Sequence, residues 1–460
     1  MLRKKVILSS IMITAAWLFS ACTGKKADEP GVQTTEQSQV TASDSANSDV
    51  EANRQTTKNS YEIVQKFGYQ LFAQNIEEKN PVLSPVSAYL ALSMAGCGAD
   101  GVTGDEFRSV LGDMEVFSDD MVNSLAQNGD VLNLSIANSA WIDDEFIVED
   151  DWLGIIQSLM HAEAFQADLS TTEAMNSMNH WIARQTNGMI DNMIEKPLDA
   201  WTRLVLFNTI YFKGKWETPF EAENTHQEDF YIDQVQKVSE QSELCGLPTA
   251  DTSKSTQGIT STTEQVDMMN LYMTYLDCIS NDFTEGVILP YQKNANDTGY
   301  QDIKLALIAL KPTNGESIRD VYRKLTPDVL NNMLRNKQNE QVHLKLPKFA
   351  ITFDQELNQS LVNMGLTECF DPEKANFIPM GKSKYDANLY ISLVRQKAKI
   401  IVDEEGTEAA AVTEIDMKDG AGMISEPKEL YFNEPFLYMI MDMDREIPLF
   451  IGILDNPKGE

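Results

Sequence analysis

The chain predicts an α+β fold in one large domain, and three observations lead there. Helix-periodic and strand-like segments are mixed without the strand–helix–strand beat of a parallel α/β protein. No internal repeat is found. The 460 residues, 42% hydrophobic and 8% aromatic, suffice for a substantial core.

The N-terminal segment stands apart from that domain. "MLRKK" is basic, and the apolar "VILSSIMITAAWLF" behind it is too short for an ordinary membrane-spanning helix. It runs into small Ser20 and Ala21 before Cys22, which resembles a bacterial lipoprotein signal. Residues 1–21 would be removed and Cys22 would carry lipid. An ordinary secretory signal and an uncleaved anchor are the alternatives. Residues 22–58 are rich in Ser, Thr, Gln, Asp and Glu, with almost nothing large and apolar, so they read as a disordered tether. The domain, 59–460, is thus expected outside the cytoplasm, fixed to a bacterial membrane but standing in water.

Ordered structure is expected from Tyr61, where "YEIVQKFGYQLFAQNI" has helical apolar spacing. Ser84-Pro85 then opens a second helix within "NPVLSPVSAYLALSMAGCGAD", which ends in a Gly-rich cap. A third helix is expected around "AMNSMNHWIARQTNGMI", residues 174–190. Strand patterns follow in "RLVLFNTIYFKGKW", "TEGVILPY", "IKLALIAL", "VHLKLPKFAI", "YISLVRQKAKIIVDEEG", "PFLYMIMDMD" and "IPLFIGILDN". The polar, breaker-rich stretch from about 234 to 266 reads as a surface insertion.

Charge and motifs exclude several functions. With 37 basic and 70 acidic residues the formal charge is -33, which repels nucleic acid and heparin-type polyanions. The four histidines (His161, His180, His226, His343) stand in no HExxH, and there is no GxSxG elbow, phosphate loop or dinucleotide fingerprint. Cys97, Cys245, Cys278 and Cys369 make no CxxC pair. No catalytic residue, metal or cofactor is assigned. A Cys–His hydrolase stays open, since such partners meet in space and not in sequence.

The most informative stretch is "EEGTEAAAVTEIDMKDGAGMISEP", Glu404 to Pro427. Alternate residues Thr407, Ala409, Ala411, Thr413, Ile415 and Met417 are small or apolar; Glu408, Ala410, Val412, Glu414, Asp416 and Lys418 are mostly charged. That is the pattern of a strand with one buried face, although its early residues are poor strand formers. Gly406 can serve as a pivot. By itself the pattern equally describes a β-hairpin with Gly406 in the turn.

A resemblance breaks the tie. From about Tyr61 to Pro457 the chain resembles the serpin family. "EEGTEAAAVT" resembles the reactive-loop hinge, with Glu405, Gly406, Thr407 and Ala409, Ala410, Ala411 matching in order. "NPVLSPVSAYLALSMAGCGADGVT" resembles the early helix bearing Asn80, Ser84 and Ser87, and "LFNTIYFKGKWETPF" the strand bearing Asn208 and Trp216. "LKLPKFAI", "LVNMGLTECFDPEKANF", "LYFNEPFLYMI" and "PLFIGILDNP" follow in family order.

The resemblance implies helices packed around three β-sheets, with an exposed reactive loop at 404–432. It implies a monomeric suicide inhibitor, without cofactor, of serine and papain-like cysteine proteases. The cut loop would insert into the central sheet, and small inward residues would ease its passage. Lys348 and Glu404 resemble a pair that latches the loop. Asn80, Ser84, Ser87, Asn208 and Trp216 resemble a sheet-opening cluster, in which Gln396 stands where many relatives place His. Counting from the hinge puts the scissile bond near Gly420–Ala421; counting back from Phe432 puts it near Ile424–Ser425, after Met423. A non-inhibitory serpin serving as a binding module is the alternative.

Overall fold

In the computed structural model the described residues are 61–232, 262–294, 303–384, 388–407 and 426–459. All lie in one compact unit, Asn59–Glu460. Cys22, the hinge alanines 409–411 and the candidate scissile residues Gly420, Ala421, Met423, Ile424 and Ser425 fall outside them, as does Cys245.

Among the described residues helices pack around three sheets of nine, seven and two strands. The nine-stranded sheet is held by Phe436–Asp442 and Ile447–Leu454, buried along their whole length. Such unbroken apolar runs have no solvent face to keep polar. Leu305–Pro312 pairs with Phe436–Asp442 on one side and Thr284–Pro290 on the other. Thr263–Ser280, Gln338–Pro347 and the edge strand Lys428–Tyr431 continue the sheet.

The seven-stranded sheet is the central one. Its order is Phe349–Glu356, Arg395–Val402, Gly406–Thr407, Leu204–Lys215, Leu132–Asp143 and Gln127–Asn128, with Glu163–Ala167 beside Leu132–Asp143. Helix Pro85–Gly96 packs against both Leu204–Lys215 and Ile447–Leu454 and so ties the two large sheets together. Every residue of it but Ala91 is buried, as a helix apolar all round must be. The Ser84 hydroxyl accepts the Ser87 N–H, and Pro85 occupies the first turn, where no N–H is needed. Helix Thr172–Gln185 forms a separate apolar cluster through Met178, Trp181 and Ile182 with Trp141 of the central sheet.

Several boundaries differ from the sequence reading. The insertion was expected to run to 266, but Thr263–Ser280 is already a strand, with Val266 buried and Thr263, Gln265 and Asp267 exposed. The loop was expected to run from 404 to 432, yet both its ends lie in sheets: Gly406–Thr407 in the central one, and Lys428–Tyr431 parallel to Val342–Lys345. "VHLKLPKFAI" is two strands broken at Lys348. The helix expected over 174–190 stops at Gln185, since Asn187 and Gly188 take left-handed φ of 50° and 79°.

Candidate functional site

The hinge occupies a seat between two central strands. Gly406–Thr407 runs antiparallel to both neighbours, with Thr407 opposite Val402 on one side and Gly214 on the other. Among the described residues no ladder joins Arg395–Val402 directly to Leu204–Lys215. With strands spaced about 4.8 Å apart, the flanking pair stand roughly 9.5 Å from each other here.

The chain enters this seat through a tight turn. Asp403 Oδ1 accepts the N–H groups of Glu405 at 3.0 Å and Gly406 at 3.2 Å. The Asp403 N–H donates to the Gly406 carbonyl at 2.9 Å. An aspartate bonding the backbone just ahead of it is a standard turn former. Burial raises the Asp403 pKa, and those two backbone donors only partly offset it.

Trp216 and its neighbours grip the turn from the other side. The Trp216 N–H donates to the Glu405 carbonyl at 2.8 Å, its indole Nε1–H to the Asp403 carbonyl at 3.0 Å, and the Phe220 N–H to the Glu404 carbonyl at 2.8 Å. The Glu404 carboxylate meets Lys348 Nζ at 2.7 Å and accepts the Thr225 hydroxyl at 2.8 Å. Burial pushes the Glu404 pKa up, but the Lys348 hydrogen bond and its other donors prevail and hold it below the usual carboxylate range.

The floor of the seat demands glycine. A Cβ on Gly406 would come within 2.0 Å of the Gly214 carbonyl oxygen. A Cβ on Gly214 would meet Tyr291 and Phe212 at 2.7 Å. Thr407, 2% exposed, shares a 2.7 Å hydrogen bond with the Tyr291 hydroxyl. Tyr291 stacks on Trp216 at 4.7 Å and takes the edge of Phe212 at 4.9 Å. Burial drives its phenol far above the ordinary range, so it stays neutral.

The polar residues grouped by sequence divide into three places. Gln396 takes the Ser84 N–H on Oε1 and donates from Nε2 to the Ser84 carbonyl, both at 2.9 Å. Nearby, the Ser87 hydroxyl reaches the Asn208 carbonyl at 3.5 Å, and Asn208 Nδ2 donates to Asn138 Oδ1 at 2.7 Å. Among the described residues Asn208 Oδ1 has no partner. Trp216 does not join this cluster: eight residues further along the strand, roughly 26 Å, it stands at the hinge. Asn80 does not join it either, because its Oδ1 accepts the Asp455 and Asn456 N–H groups at 2.7 and 2.9 Å. It fastens the C-terminal segment.

Sequence reasoning did not single out Tyr291, Gly214, Thr225 or Asp403. "LPYQ" and "YFKGKW" gave no sign of partners, because these residues meet the hinge only through the sheet. The hydrolase reading loses ground at the cysteines: burial pushes the thiols of Cys97, Cys278 and Cys369 up to about 12.

The comparisons fit this geometry. The profile of the family described as Serpin (serine protease inhibitor) matches residues 62–242 and 248–457. Alpha-1-antitrypsin-like protein GS55-MS of Ictidomys tridecemlineatus is 29% identical over 400 residues, covering 85% of this chain and 86% of that protein. Alpha-1-antiproteinase S of Cavia porcellus is 28% identical, covering 85% and 87%. Among solved structures, the thermophilic serpin tengpin in its native state superposes with a TM-score of 0.72 at 29% identity, covering 86% of this chain and 94% of tengpin. Human thyroxine-binding globulin complexed with thyroxine gives 0.71 at 25% identity, covering 88% and 100%.

Two outcomes follow from the seat. Tyr291→Phe keeps the ring stack and removes the hydroxyl, at a cost of about 1 kcal/mol. Hydrogen-exchange protection of the Thr407 amide should fall about fivefold, and Thr407→Val should add nothing to it. Unchanged protection would show that this bond does not hold the hinge. The second concerns acid. The Glu404 contribution is complete above about pH 4.5 and is lost as pH falls through its lowered folded-state value. The Tm gap between wild type and Glu404→Gln should therefore start to narrow below about pH 4.5 and close as pH falls through the lowered folded-state value; a gap that widened in acid would reverse the assignment.

Proposed function

The chain belongs to the serpin family of serine protease inhibitors, and from that premise we propose that it traps proteases covalently at an extracytoplasmic membrane surface. One observation carries the reading: the hinge already sits between two strands that run parallel to each other and antiparallel to it.

A protease serine attacks a carbonyl of the loop within residues 408–425. The peptide C–N bond breaks, an ester forms, and the amine leaves with a proton from the protease's general acid. The freed strand then extends from its seat. Each further residue steps back by one along both neighbours, given Thr407 opposite Val402 and Gly214. Ala409 would come between Ile400 and Phe212, Ala411 between Ala398 and Ile210, and Thr413 between Gln396 and Asn208. Ile400, Phe212, Ala398 and Gln396 are buried, so only small inward side chains slide past without unpaired polar cost. The Thr413 hydroxyl would also offer Asn208 Oδ1 a donor.

The reach is adequate. From Thr407 to Gly420 an inserted strand spans roughly 43 Å, and to Ile424 roughly 56 Å. A domain of ~400 residues measures on the order of 55 Å across. The protease is carried to the far pole before water can release it. Met423 and Ile424 suit elastase-like and subtilisin-like enzymes, and papain-like enzymes would leave a thioester instead. Lys418 sits too early in the loop for effective trapping of a trypsin-like enzyme. Lys348–Glu404 latches the turn until cleavage, Cys22 tethers the inhibitor, and the acidic surface excludes polyanion activation.

The test is incubation of the domain with elastase, chymotrypsin, trypsin and subtilisin, followed by denaturing electrophoresis. A denaturation-resistant complex is expected, together with a rise in Tm of the cleaved chain. Thr407→Arg, which would bury a cation beside Tyr291, should turn the protein into a substrate with its fold intact. Clipped chain alone from the wild type would favour a binding module, the reading that the likeness to thyroxine-binding globulin supports. For the tether, Cys22→Ala should abolish labelling by radioactive palmitate in a bacterial host; persistent labelling would rule out Cys22 as the acceptor.

A further inference from the structure

The strand that ends the reactive loop borders an unusual surface. Thr263–Ser280 carries a bulge where its pairing with Gln338–Pro347 shifts register, so that His343 faces Tyr272 and Val342 faces Thr274. Met273 is the extra residue, and it holds a left-handed φ of 57°. That conformation is costly for a bulky side chain. A bulge reverses the inward–outward phase of a strand. Here it turns Leu276 and Cys278 inward and leaves Tyr275 on the same outer face as Tyr272.

The core explains the bulge, but it does not explain the tyrosines. Tyr272 is 61% exposed and Tyr275 65% exposed, so any polar residue would serve the fold as well. The aromatic row continues across three strands. Tyr272 meets His343 edge-on at 5.0 Å, and His343 meets Tyr431 in the same way at 5.0 Å. The Tyr431 hydroxyl bonds His343 Nδ1 at 2.9 Å, and Asn270 Oδ1 lies 3.3 Å from Nε2, so the imidazole is fixed from both sides. Exposed Glu429 stands opposite His343.

We propose that this outer face, Tyr272, Tyr275, His343 and Tyr431, docks the body of the protease that attacks the loop. The proposal rests on the inhibitory reading and adds to it a second contact. Its ground is continuity, since Tyr431 belongs to Lys428–Tyr431, into which the loop runs directly. Between the candidate scissile bonds and Tyr431 the chain can span at most roughly 20–40 Å. A protease of ~230 residues is on the order of 45 Å wide, so one bound at the loop is large enough to reach this face. Tyrosine supplies large contact area at low entropic cost. Lys345 already sits 5.1 Å over the Tyr431 ring and pairs with Glu228, so the open ring faces of Tyr272 and Tyr275 and Glu429, on a chain of charge -33, favour a partner presenting Arg or Lys around its cleft.

The measurement is the second-order rate of loop consumption by elastase, chymotrypsin, trypsin and subtilisin, counting trapped and clipped chain together. Tyr272→Ser/Tyr275→Ser should slow the most reactive of these about tenfold, with stoichiometry of inhibition and Tm unchanged. Added salt should slow both proteins to a similar degree, because the substitutions leave Glu429 and the net charge in place. Equal rates for the two proteins overturn the docking surface while leaving the trap intact. A changed stoichiometry overturns it too, by placing the effect in insertion. A wild-type dimer that the variant dissolves in sedimentation assigns the face to a second copy of the chain instead. If no protease attacks the wild-type loop, both readings fall.

Discussion

The structure turns on a contact where two backbones come too close for any side chain: Gly406 against the Gly214 carbonyl. Because neither residue has a Cβ, a strand can lie between Val402 and Gly214, and Thr407 can drop onto Tyr291. The flanking strands point the same way, so closing the sheet without the hinge would pair them in parallel. A strand between them replaces that one parallel ladder with two antiparallel ones, each slightly stronger per residue. Each added hydrogen bond contributes about 1 kcal/mol net, so the direction of change is downhill all along the slot.

In the proposed mechanism, what would stop the strand from filling the slot at once is its other end. Lys428–Tyr431 is fastened in the nine-stranded sheet beside Val342–Lys345, with Leu430 fully buried. Residues 408–427 must bridge from the central sheet to that strand, and each residue drawn into the slot shortens the bridge. On that mechanism an intact loop would be held at both ends, and cutting it would remove the restraint without altering the seat. Stored strain released by proteolysis is a recognised kind of switch. Its two anchors would be buried Thr407 on one sheet and buried Leu430 on the other.

Much of this was legible in the residues, and the failures share a cause. The helix after Ser84-Pro85 announced itself through its cap and its apolar run, and so did the fully buried closing strands. Leu132–Asp143 escaped notice because "LNLSIANSAWID" is interspersed with Ser, Asn and Ala, which suit a strand only when neighbours on both sides complete the face. The start of Thr263–Ser280 was taken for insertion because "TEQ" continues the polar composition before it, and further along the bulge at Met273 breaks the alternation that identifies a strand. Tyr291 could not be found at all. It lies 116 positions from Thr407 in sequence, and nothing local marks it as a hydrogen-bond partner.

Gln396 has a physical meaning of its own. Gln396 satisfies both the N–H and the carbonyl of Ser84 with one side chain, which a histidine ring could not do, and its amide does not titrate. Proton-sensitive groups are found instead at the seat, and they oppose each other. Acid weakens the hold of Glu404, whose folded pKa is lowered. The Asp403 carboxyl is raised by burial, so its ionised form is disfavoured there; protonation relieves that penalty, which grows only as pH rises through the raised value. One contribution falls over the acid range in which the other recovers, while the contacts deeper in the slot do not change. The two carboxylates of the turn thus respond to acid in opposite senses, and the proposed trigger for opening the central sheet is the severed peptide bond.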